Sequence, residues 1–286
     1  MRQVELHPIQ RLNADLEQKV TDLTNALMIT LGQLEQAKDE LMKALTAEQQ
    51  LGELKSCFVS MASHEFRTPL TVLQTSATLI EKYLTLGQPD NCQTYLDHIR
   101  ASTRQLNDIL NEFLSVGLIE AGKVEAHPEW VDVAQLIGET VADIQGILKP
   151  GQRIETNFSG SGQAWPGRVR LDPSLLHKIM INLLTNAVKY STSVSVVTIR
   201  GTVAERQLTV AVQDQGVGTP SDEQVHLFER LFRARNVTNI AGTGLGLHIV
   251  GRYVDLMGGQ VFLQSALNEG TTVTLTFPCH DDYSAH

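Results

Sequence analysis

The stretch "SMASHEFRTPL", residues 60–70, places His64 beside Glu65 and four residues before Thr68 in a pattern typical of a helix. An α-helix turns by ~100° per residue, so His64 points roughly 200° away from Ala62, which lies on the apolar stripe. We therefore expect His64 and Thr68 to face outward, with Glu65 on the flank. From these residues alone, an ordinary solvated surface histidine remains an open interpretation.

Upstream of this stretch, the sequence has the apolar repeat of a coiled coil. Alternate steps of four and three residues from Leu16 to Ala62 give fourteen positions, of which eleven are apolar. This is the period of about 3.5 residues that supercoiled helices require. The misfits Glu48 and Lys55 indicate that the seam changes phase there. We predict a coiled coil over residues 1–56, and a purely structural rod is the simple alternative.

Downstream, two amphipathic runs predict a helical hairpin. The first run continues from Phe58 to Leu84, and the second extends from Tyr95 to Leu118. Between them, "TLGQPDN" at 85–91 has the glycine and proline of a helix break. Each helix has an apolar face too large to be covered by the other alone. We therefore expect a homodimer, in which two hairpins form a four-helix bundle.

Composition excludes several classes of protein. Hydrophobic residues make up 42% of the 286 residues and charged residues 19%, so the chain should fold. A net charge of −9 argues against a nucleic-acid partner, and three scattered cysteines do not make a zinc site. No run reaches the ~18 apolar residues of a membrane span, and the N-terminus lacks the apolar core of a signal peptide. We expect a cytoplasmic protein with no membrane span in this chain.

From Pro128 onward, the pattern alternates between strands and helices. Strands are predicted at "RIETNF", "VSVVTIRG", "QLTVAVQD", "GQVFLQSA" and "GTTVTLTFP". Helices are predicted at "LDPSLLHKIMINLLTNAVKYS", at about 221–231 and at about 244–257. Because strands come in adjacent pairs, we expect a mixed or antiparallel sheet with helices on one face. The predicted fold class is therefore α plus α/β: an N-terminal coiled coil and a helical hairpin, followed by an α/β sandwich.

Three segments resemble known functional motifs but lack a residue that each motif requires. A zinc-protease helix needs His-Glu-x-x-His, and Thr68 stands where the second histidine belongs. "GLIEAGKV", residues 117–124, resembles a P-loop, but Val124 replaces the hydroxyl that binds magnesium. "GTGLGLHIV", residues 242–250, has Leu247 where a Rossmann fingerprint requires glycine. None of these three functions is expected.

Three further segments point to a ligand when they are taken together. Asn182, Asn186 and Lys189 share one face of an otherwise apolar helix, although asparagine is unfavourable in helices. "DQGVG", residues 214–218, ends a strand with an acid and two glycines, which suits a turn or a close approach to a ligand. "GTGLGL" offers free backbone N–H groups to phosphates just ahead of a helix. Each has a structural explanation alone, but their order and spacing favour a binding site.

The segments in this order resemble the kinase core of the two-component sensor histidine kinases, over roughly residues 55–278. "SHEFRTPL" resembles the H box of that family, "NLLTNAVKY" its N box, "DQGVG" its G1 box, "LFERLF" its F box and "GTGLGL" its G2 box. "EGTTVTLTFP" resembles the closing strand. The resemblance implies a coiled-coil signalling helix at 1–56, a dimerisation and histidine phosphotransfer hairpin at 57–124, and a GHKL-type ATP-binding domain at 125–281.

The resemblance implies catalytic roles for three residues of the hairpin. His64 would accept the phosphoryl group of ATP and pass it to an aspartate on the receiver domain of a response regulator. Glu65 would orient the imidazole or take its proton. Thr68 would take part in removing phosphate from the partner, which permits a bifunctional kinase and phosphatase without establishing the balance between the two activities.

The resemblance also implies a site for ATP and Mg²⁺. Asn186 would coordinate magnesium through its amide oxygen, Lys189 would meet the phosphates, and Asp214 would accept the adenine amino group. Either Arg233 or Arg235 of the lid, "FRARNVTNIAGTG" at residues 232–244, would reach the phosphates. The implied nucleotide-binding residues are Asn182, Asn186, Lys189, Tyr190, Asp214, Gly216, Gly218, Arg233, Gly242, Thr243, Gly244, Leu245, Gly246 and Leu247.

Some features depart from the family pattern. Thr219 stands where isoleucine is usual, a polar change beside the adenine pocket. Only about ten residues precede the coil, so we expect the sensor to be missing from this chain or supplied by a partner. A non-catalytic scaffold with a degenerate site and a GHKL ATPase that uses ATP for conformational work are the alternatives to a histidine kinase. The sequence leaves open whether phosphate is transferred within or between subunits.

Overall fold

The computed structural model describes residues 6–86, 88, 91–160 and 168–279. The chain divides into two compact units, residues 1–60 and 61–286. The domain boundaries expected from the sequence remain a prediction. The helices are α1 (Leu6–Thr85), α2 (Cys92–Glu120), α3 (Val133–Ile144), α4 (Pro173–Tyr190) and α5 (Gly246–Leu256), and the strands are β1 (Glu129–Val131), β2 (Arg153–Gly160), β3 (Val169–Leu171), β4 (Val196–Ala204), β5 (Gln207–Gln213), β6 (Gln260–Ala266) and β7 (Gly270–Pro278).

The first unit is the N-terminal part of α1. Every side chain described between residues 14 and 45 is exposed, and the apolar repeat is no exception, with Leu23 and Leu41 each 70% exposed. A long row of exposed leucines is unfavourable in water, which gives a physical reason for pairing with a second helix. The coiled coil itself remains a prediction. The misfits Glu48 and Lys55 lie outside the residues whose side chains are described.

The second unit begins with the helical hairpin. The predicted break at 85–91 separates α1 from α2, as expected. The rings of Phe66 and Phe113 lie 6.1 Å apart between centroids, and the rings of Tyr83 and Tyr95 stack at 5.6 Å. These two contacts join the helices near both ends of the hairpin. Both helices also keep exposed leucines, at Leu70, Leu84, Leu110, Leu114 and Leu118.

The rest of the second unit is built on a five-stranded mixed sheet, which confirms the expected α/β architecture. The strand order is β2-β4-β5-β7-β6, with β2 parallel to β4 and every other neighbouring pair antiparallel. Alternate side chains of the central strands are fully buried, such as Ile199, Leu208 and Leu275. They form one core with the apolar faces of α4 and α5, where Leu176 and Tyr253 are also buried. The amide-bearing helix α4 therefore lies in the middle of the domain.

The helix predicted at about 221–231 is wrong. The segment contains a single 3₁₀ turn at Gln224–His226 within a series of turns. Its backbone forms isolated i→i+3 bonds, such as that from the N–H of Glu229 to the carbonyl of His226 at 2.9 Å, and at its end the Leu231 N–H donates to the distant carbonyl of Gly244 at 3.2 Å. Leu231 also has a left-handed φ of 65°, which an α-helix does not allow. A helical spacing of apolar residues here reflects packing of a loop.

The elements β1, β3 and α3 were not predicted from the sequence. Strands β1 and β3 pair antiparallel in a separate two-stranded sheet, and α3 follows β1 directly. Three-residue strands are too short to produce a readable alternation. Val133 and Ile137 of α3 are completely buried.

Helix α4 begins at an aspartate that has two partners. Asp172 Oδ1 accepts the N–H of Leu175 at 2.9 Å, which is an N-cap bond, and Oδ2 accepts the N–H of His127 at 2.7 Å. The side chain is buried, at 4% exposure. Asp132 caps α3 with one bond, from the N–H of Gln135 at 3.1 Å, and is partly exposed. Asp172 therefore ties the start of the amide helix to the segment that follows the hairpin.

We predict unequal losses of stability when each cap is removed. Asp172→Ala is expected to lower the free energy of unfolding by roughly 2–4 kcal/mol, because it removes a cap and leaves a second N–H unpaired. Asp132→Ala, the matched control, should cost about 1 kcal/mol. Urea unfolding followed by circular dichroism measures both. Equal losses would contradict the assigned second bond of Asp172.

Candidate functional site

The amide face of α4 borders a cavity of about 970 Å³. Asn182, Asn186 and Lys189 all line it, as the sequence predicted for one helix face. The Nδ2 group of Asn182 donates to the carbonyl of Lys178 at 2.9 Å, so its oxygen is turned toward the start of α5. A Cβ at Gly246 would lie 2.9 Å from that oxygen. The amide oxygen therefore lies directly against the glycine-rich segment, residues 242–247.

The C-terminal end of α4 is held by two side chains that sequence reasoning missed. Lys149 Nζ donates to the carbonyls of Lys189 at 2.9 Å and Ser191 at 2.6 Å. Gln152 Nε2 donates to the carbonyl of Val188 at 3.1 Å. A cation at a helix C-terminus interacts favourably with the negative end of the helix dipole. These contacts fix the last turn of α4, but nothing in the sequence pattern marks a distant lysine as a cap.

The glycine-rich segment passes closely over Lys189. The Lys189 ammonium lies 5.0 Å from the centroid of the Tyr190 ring, an arrangement typical of a cation–π contact. A Cβ added at Gly242 would lie 2.7 Å from Lys189 Nζ. A residue with a side chain at position 242 would therefore push this ammonium aside. Lys189, Tyr190 and Gly242 all line the cavity.

At the opposite wall, Asp214 is fixed in place by backbone N–H groups. Its Oδ1 accepts the N–H of Gly216 at 2.8 Å and the N–H of Thr271 at 3.1 Å. Within the described residues, no donor bonds to Oδ2. Burial raises the pKa of Asp214, and the two N–H groups lower it in part. Asp214 thus presents a partly desolvated acceptor to the cavity that it lines.

The turn after Asp214 requires glycine at position 218. Gly218 has a φ of 64°, and a Cβ there would lie 1.8 Å from the carbonyl oxygen of Ala266. The neighbouring Thr219 donates its N–H to Ser265 Oγ at 2.8 Å and is buried at the cavity wall. This bond is made by the backbone of Thr219 and would also be available to isoleucine, so it does not explain the threonine side chain. Gly218 itself lines the cavity.

The sequence left open which of the two lid arginines reaches the phosphates, and the structure gives them different surroundings. Arg233 lines the cavity and donates to the carbonyls of Val237, Thr238 and Ile240. Arg235 forms ion pairs with Asp222 and Glu223 and is not among the cavity residues. Arg233 therefore bonds to carbonyls of the lid on the cavity side, whereas Arg235 pairs the lid with two acids outside the cavity.

Twelve of the residues predicted to bind nucleotide line this one cavity, which brings together segments far apart in sequence. Gly216 and Leu245 do not line it, since Gly216 pairs with Ser191 in a β-bridge and Leu245 is completely buried at the start of α5. The twelve are Asn182, Asn186, Lys189, Tyr190, Asp214, Gly218, Arg233, Gly242, Thr243, Gly244, Gly246 and Leu247.

His64 lies outside the cavity, on the exposed face of α1 as predicted. Its side chain is 74% exposed, and its Nδ1 atom lies 3.5 Å from Glu65 Oε1. Glu65 differs from the expectation, because its side chain is only 9% exposed instead of lying on an open flank. Thr68 is exposed, and Pro69 is buried within the helix. None of these residues is among those that line the cavity.

Helix α2 contributes a wall of the cavity that the sequence did not indicate. Asp108, Asn111, Glu112 and Leu118 all line it. The Thr243 hydroxyl donates a hydrogen bond to Glu112 Oε2. Contacts between residues more than a hundred positions apart leave no signal in a single sequence.

Comparison with known proteins identifies the family. Residues 54–122 match the His Kinase A (phospho-acceptor) domain, and residues 171–281 match the histidine kinase-, DNA gyrase B- and HSP90-like ATPase domain. The chain belongs to the sensor histidine kinases. Together the two matches place a phospho-acceptor hairpin ahead of an ATPase-type domain.

Individual relatives agree with this assignment. The circadian input-output histidine kinase CikA of Thermosynechococcus vestitus is 31% identical over 283 residues, 96% of this chain and 36% of that protein. The Acinetobacter baumannii histidine kinase AdeS has the same fold, with a TM-score of 0.58 and 18% identity over 76% of this chain and 98% of that one. Full-length ShkA, solved in complex with AMPPNP, has a TM-score of 0.55 and 25% identity over 78% of this chain and 45% of that one.

This histidine kinase chain spans little more than a third of the length of CikA. Among its described helices, none combines the length and the apolar character needed to cross a bilayer. The described residues also contain no group of three or more His, Cys, Asp or Glu side chains arranged to hold a metal ion.

We predict that Asp214→Asn stabilises this histidine kinase near neutral pH. The asparagine oxygen can keep both N–H bonds, while the cost of burying a charge disappears. Because folding raises the pKa of Asp214, the native state binds more protons, and wild-type stability falls as pH rises from the ordinary pKa through the raised one.

The difference in melting temperature between Asp214→Asn and wild type should therefore grow as the pH rises through that window. Calorimetry at a series of pH values measures it, and effects of other titrating groups cancel in the difference. A variant that is less stable than wild type at every pH would contradict the assigned bonding of Oδ1.

Proposed function

We propose that this protein is an ATP-dependent protein histidine kinase that autophosphorylates His64 and passes the phosphoryl group to an aspartate of a response regulator receiver domain. The observation that carries the proposal is the convergence of Asn186, Lys189 and Asp214 on one cavity. The family assignment supports the same reaction.

The adenine end of the cavity is proposed to be at Asp214. Its free Oδ2 is an acceptor in a partly buried site, where a ligand amino group would gain a hydrogen bond to a charged oxygen. Gly218 lets the chain pass close to a flat ring without a side chain in the way. Tyr190 would line the same end.

The phosphate end is proposed to lie between α4 and the segment that opens α5. Lys189 supplies a positive charge, and the backbone around Gly244 and Gly246 approaches the N-terminus of an 11-residue helix, which attracts anions. The amide oxygen of Asn186 would hold Mg²⁺, with Asn182 beside it, since this cation takes oxygen ligands and keeps phosphate oxygens in its shell. The bound cation would neutralise charge that develops on the phosphates.

His64 is proposed to be the nucleophile through its Nε2 atom. Its Nδ1 atom faces Glu65 at 3.5 Å, and the ring is largely exposed, so Nε2 is directed to solvent. A bond forms between Nε2 and the γ-phosphorus as the bond to the ADP oxygen breaks, and the imidazole loses its proton from Nδ1 toward Glu65. Since His64 lies outside the cavity, the ATP-binding domain has to move relative to the hairpin before transfer.

Further parts of the proposal concern partners. The exposed Thr68 hydroxyl shares the His64 face, where it would position a water for dephosphorylation of the regulator. A homodimer would cover the exposed leucines of α1 and α2, and a coiled coil would cover those of the first unit. A need for ATP and a small, odd number of cysteines favour a cytoplasmic location.

We predict that incubation with γ-labelled ATP and Mg²⁺ labels the wild type and labels neither His64→Gln nor Asn186→Ala. The label should survive alkali and be lost in acid, because a phosphorus–nitrogen bond to imidazole hydrolyses when the ring is protonated. Gel autoradiography before and after each treatment measures this. His98→Gln, at another exposed hairpin histidine, is the control and should keep the label.

Two outcomes would contradict the proposed function. Nucleotide hydrolysis at full rate in His64→Gln, with no phosphoprotein in the wild type, would favour an ATPase that does conformational work. Binding of ATP without any label would favour the degenerate scaffold.

A further inference from the structure

An acidic side chain of the hairpin reaches into the proposed nucleotide cavity. Glu112 of α2 lines the cavity together with Asp108, and its Oε2 accepts the hydroxyl of Thr243. The same Thr243 oxygen accepts the N–H of Leu245 at 3.2 Å. Glu112 is thereby connected, through one threonine, to the first turn of α5.

The surroundings of Glu112 contain charges of both signs. Burial raises the pKa of its carboxyl, while the bond from Thr243 and the charge of Lys189 lower it. The carboxylates of Asp108 and Glu65 raise it further. Lys189 is thus the cation that acts on Glu112, and it is also the cation proposed to meet the phosphates.

The position of Glu112 is that of an anion near the start of α5. The N-terminus of a helix has a partial positive charge and favours negative groups. In this arrangement the hairpin provides such a group, next to Thr243 and within the field of Lys189. A nucleotide triphosphate would bring further negative charge to the same end of the cavity.

A second polar contact joins the same two parts of the molecule. Arg230, in the loop before the lid, forms an ion pair with Glu120 near the end of α2. The Arg230 side chain is 23% exposed. Among the described residues, these two polar contacts thus join the ATP-binding domain to α2, and of the two acids Glu112 lines the cavity.

We propose that Glu112 is an affinity-determining residue of the nucleotide site, which competes with the phosphates of the nucleotide for the Thr243 and Lys189 end of the cavity. The inference rests on the proposed function, because it assumes that the cavity binds ATP. Phosphate binding and the Glu112–Thr243 bond exclude each other, so a triphosphate also releases α2 from the glycine-rich segment. Release is required before the domain can present ATP to His64.

Isothermal titration calorimetry with Mg²⁺–AMPPNP and with adenosine tests the proposal. Glu112→Gln removes the charge but keeps an oxygen that accepts the Thr243 hydroxyl, so the fold should persist. The affinity for AMPPNP should rise about tenfold or more, because opposed like charges no longer share the site. The affinity for adenosine should stay within about twofold, because it has no phosphates. Glu81→Gln, an exposed acid on α1 away from the cavity, should leave both affinities unchanged.

A second measurement keeps the proposal falsifiable if Glu112→Gln folds poorly. Coupling between two events is reciprocal, so AMPPNP must weaken the attachment of α2 if that attachment weakens AMPPNP binding. In the wild type, saturating AMPPNP should increase hydrogen exchange of α2 amides around Glu112, and adenosine should not.

Three results would overturn the inference in distinguishable ways. Equal affinities of wild type and Glu112→Gln for AMPPNP would mean that the carboxylate does not meet the phosphates. Weaker AMPPNP binding by Glu112→Gln would mean that Glu112 helps to hold the cation. If neither adenosine nor AMPPNP binds to the wild type or the variant, the proposed function itself fails.

Discussion

Helix α4 depends on being held at both of its ends. Asp172 ties its first turn to the segment after the hairpin, and Lys149 and Gln152 bind the carbonyls of its last turn. Its buried apolar face fixes its rotation against the sheet, so the opposite face has to present Asn182, Asn186 and Lys189 to the cavity. Because the rotation of α4 is fixed, the asparagines, which are unfavourable for helix stability, have to face the cavity. The remaining walls of the cavity are assembled around this face.

The separation of the two reactive parts follows from the same architecture. His64 is exposed on α1, whereas the cavity lies among α2, α4, α5 and the end of β5. In the proposed reaction His64 meets the nucleotide and the response regulator in turn, and its exposed position leaves it open to both. The bond from Thr243 to Glu112 and the ion pair of Arg230 with Glu120 describe an arrangement in which the domain rests on the hairpin.

The sequence predicted those features that local patterns determine. The helix break at 85–91, the outward direction of His64, the amide face of α4 and most strands follow from periodicity and composition. The prediction from sequence failed where contacts with residues distant in the chain determine the local structure. The segment at 221–231 has helical spacing, but it forms a series of turns that ends where Leu231 bonds to the distant Gly244. Likewise, burial of Glu65, the cap by Lys149 and the contact with Glu112 depend on neighbours that no local pattern reveals.

The proposed orientation of the nucleotide depends most directly on the free oxygen of Asp214. In Asp214→Asn, the N–H groups of Gly216 and Thr271 should hold the amide oxygen, so the amide NH₂ group would face the cavity. A donor would then oppose the adenine amino group, and a buried unpaired pair of donors costs about 1–3 kcal/mol. The measurement is the affinity for ATP of wild type and variant by calorimetry, and we expect a loss of about tenfold to a hundredfold. An unchanged affinity in a folded variant would contradict the account.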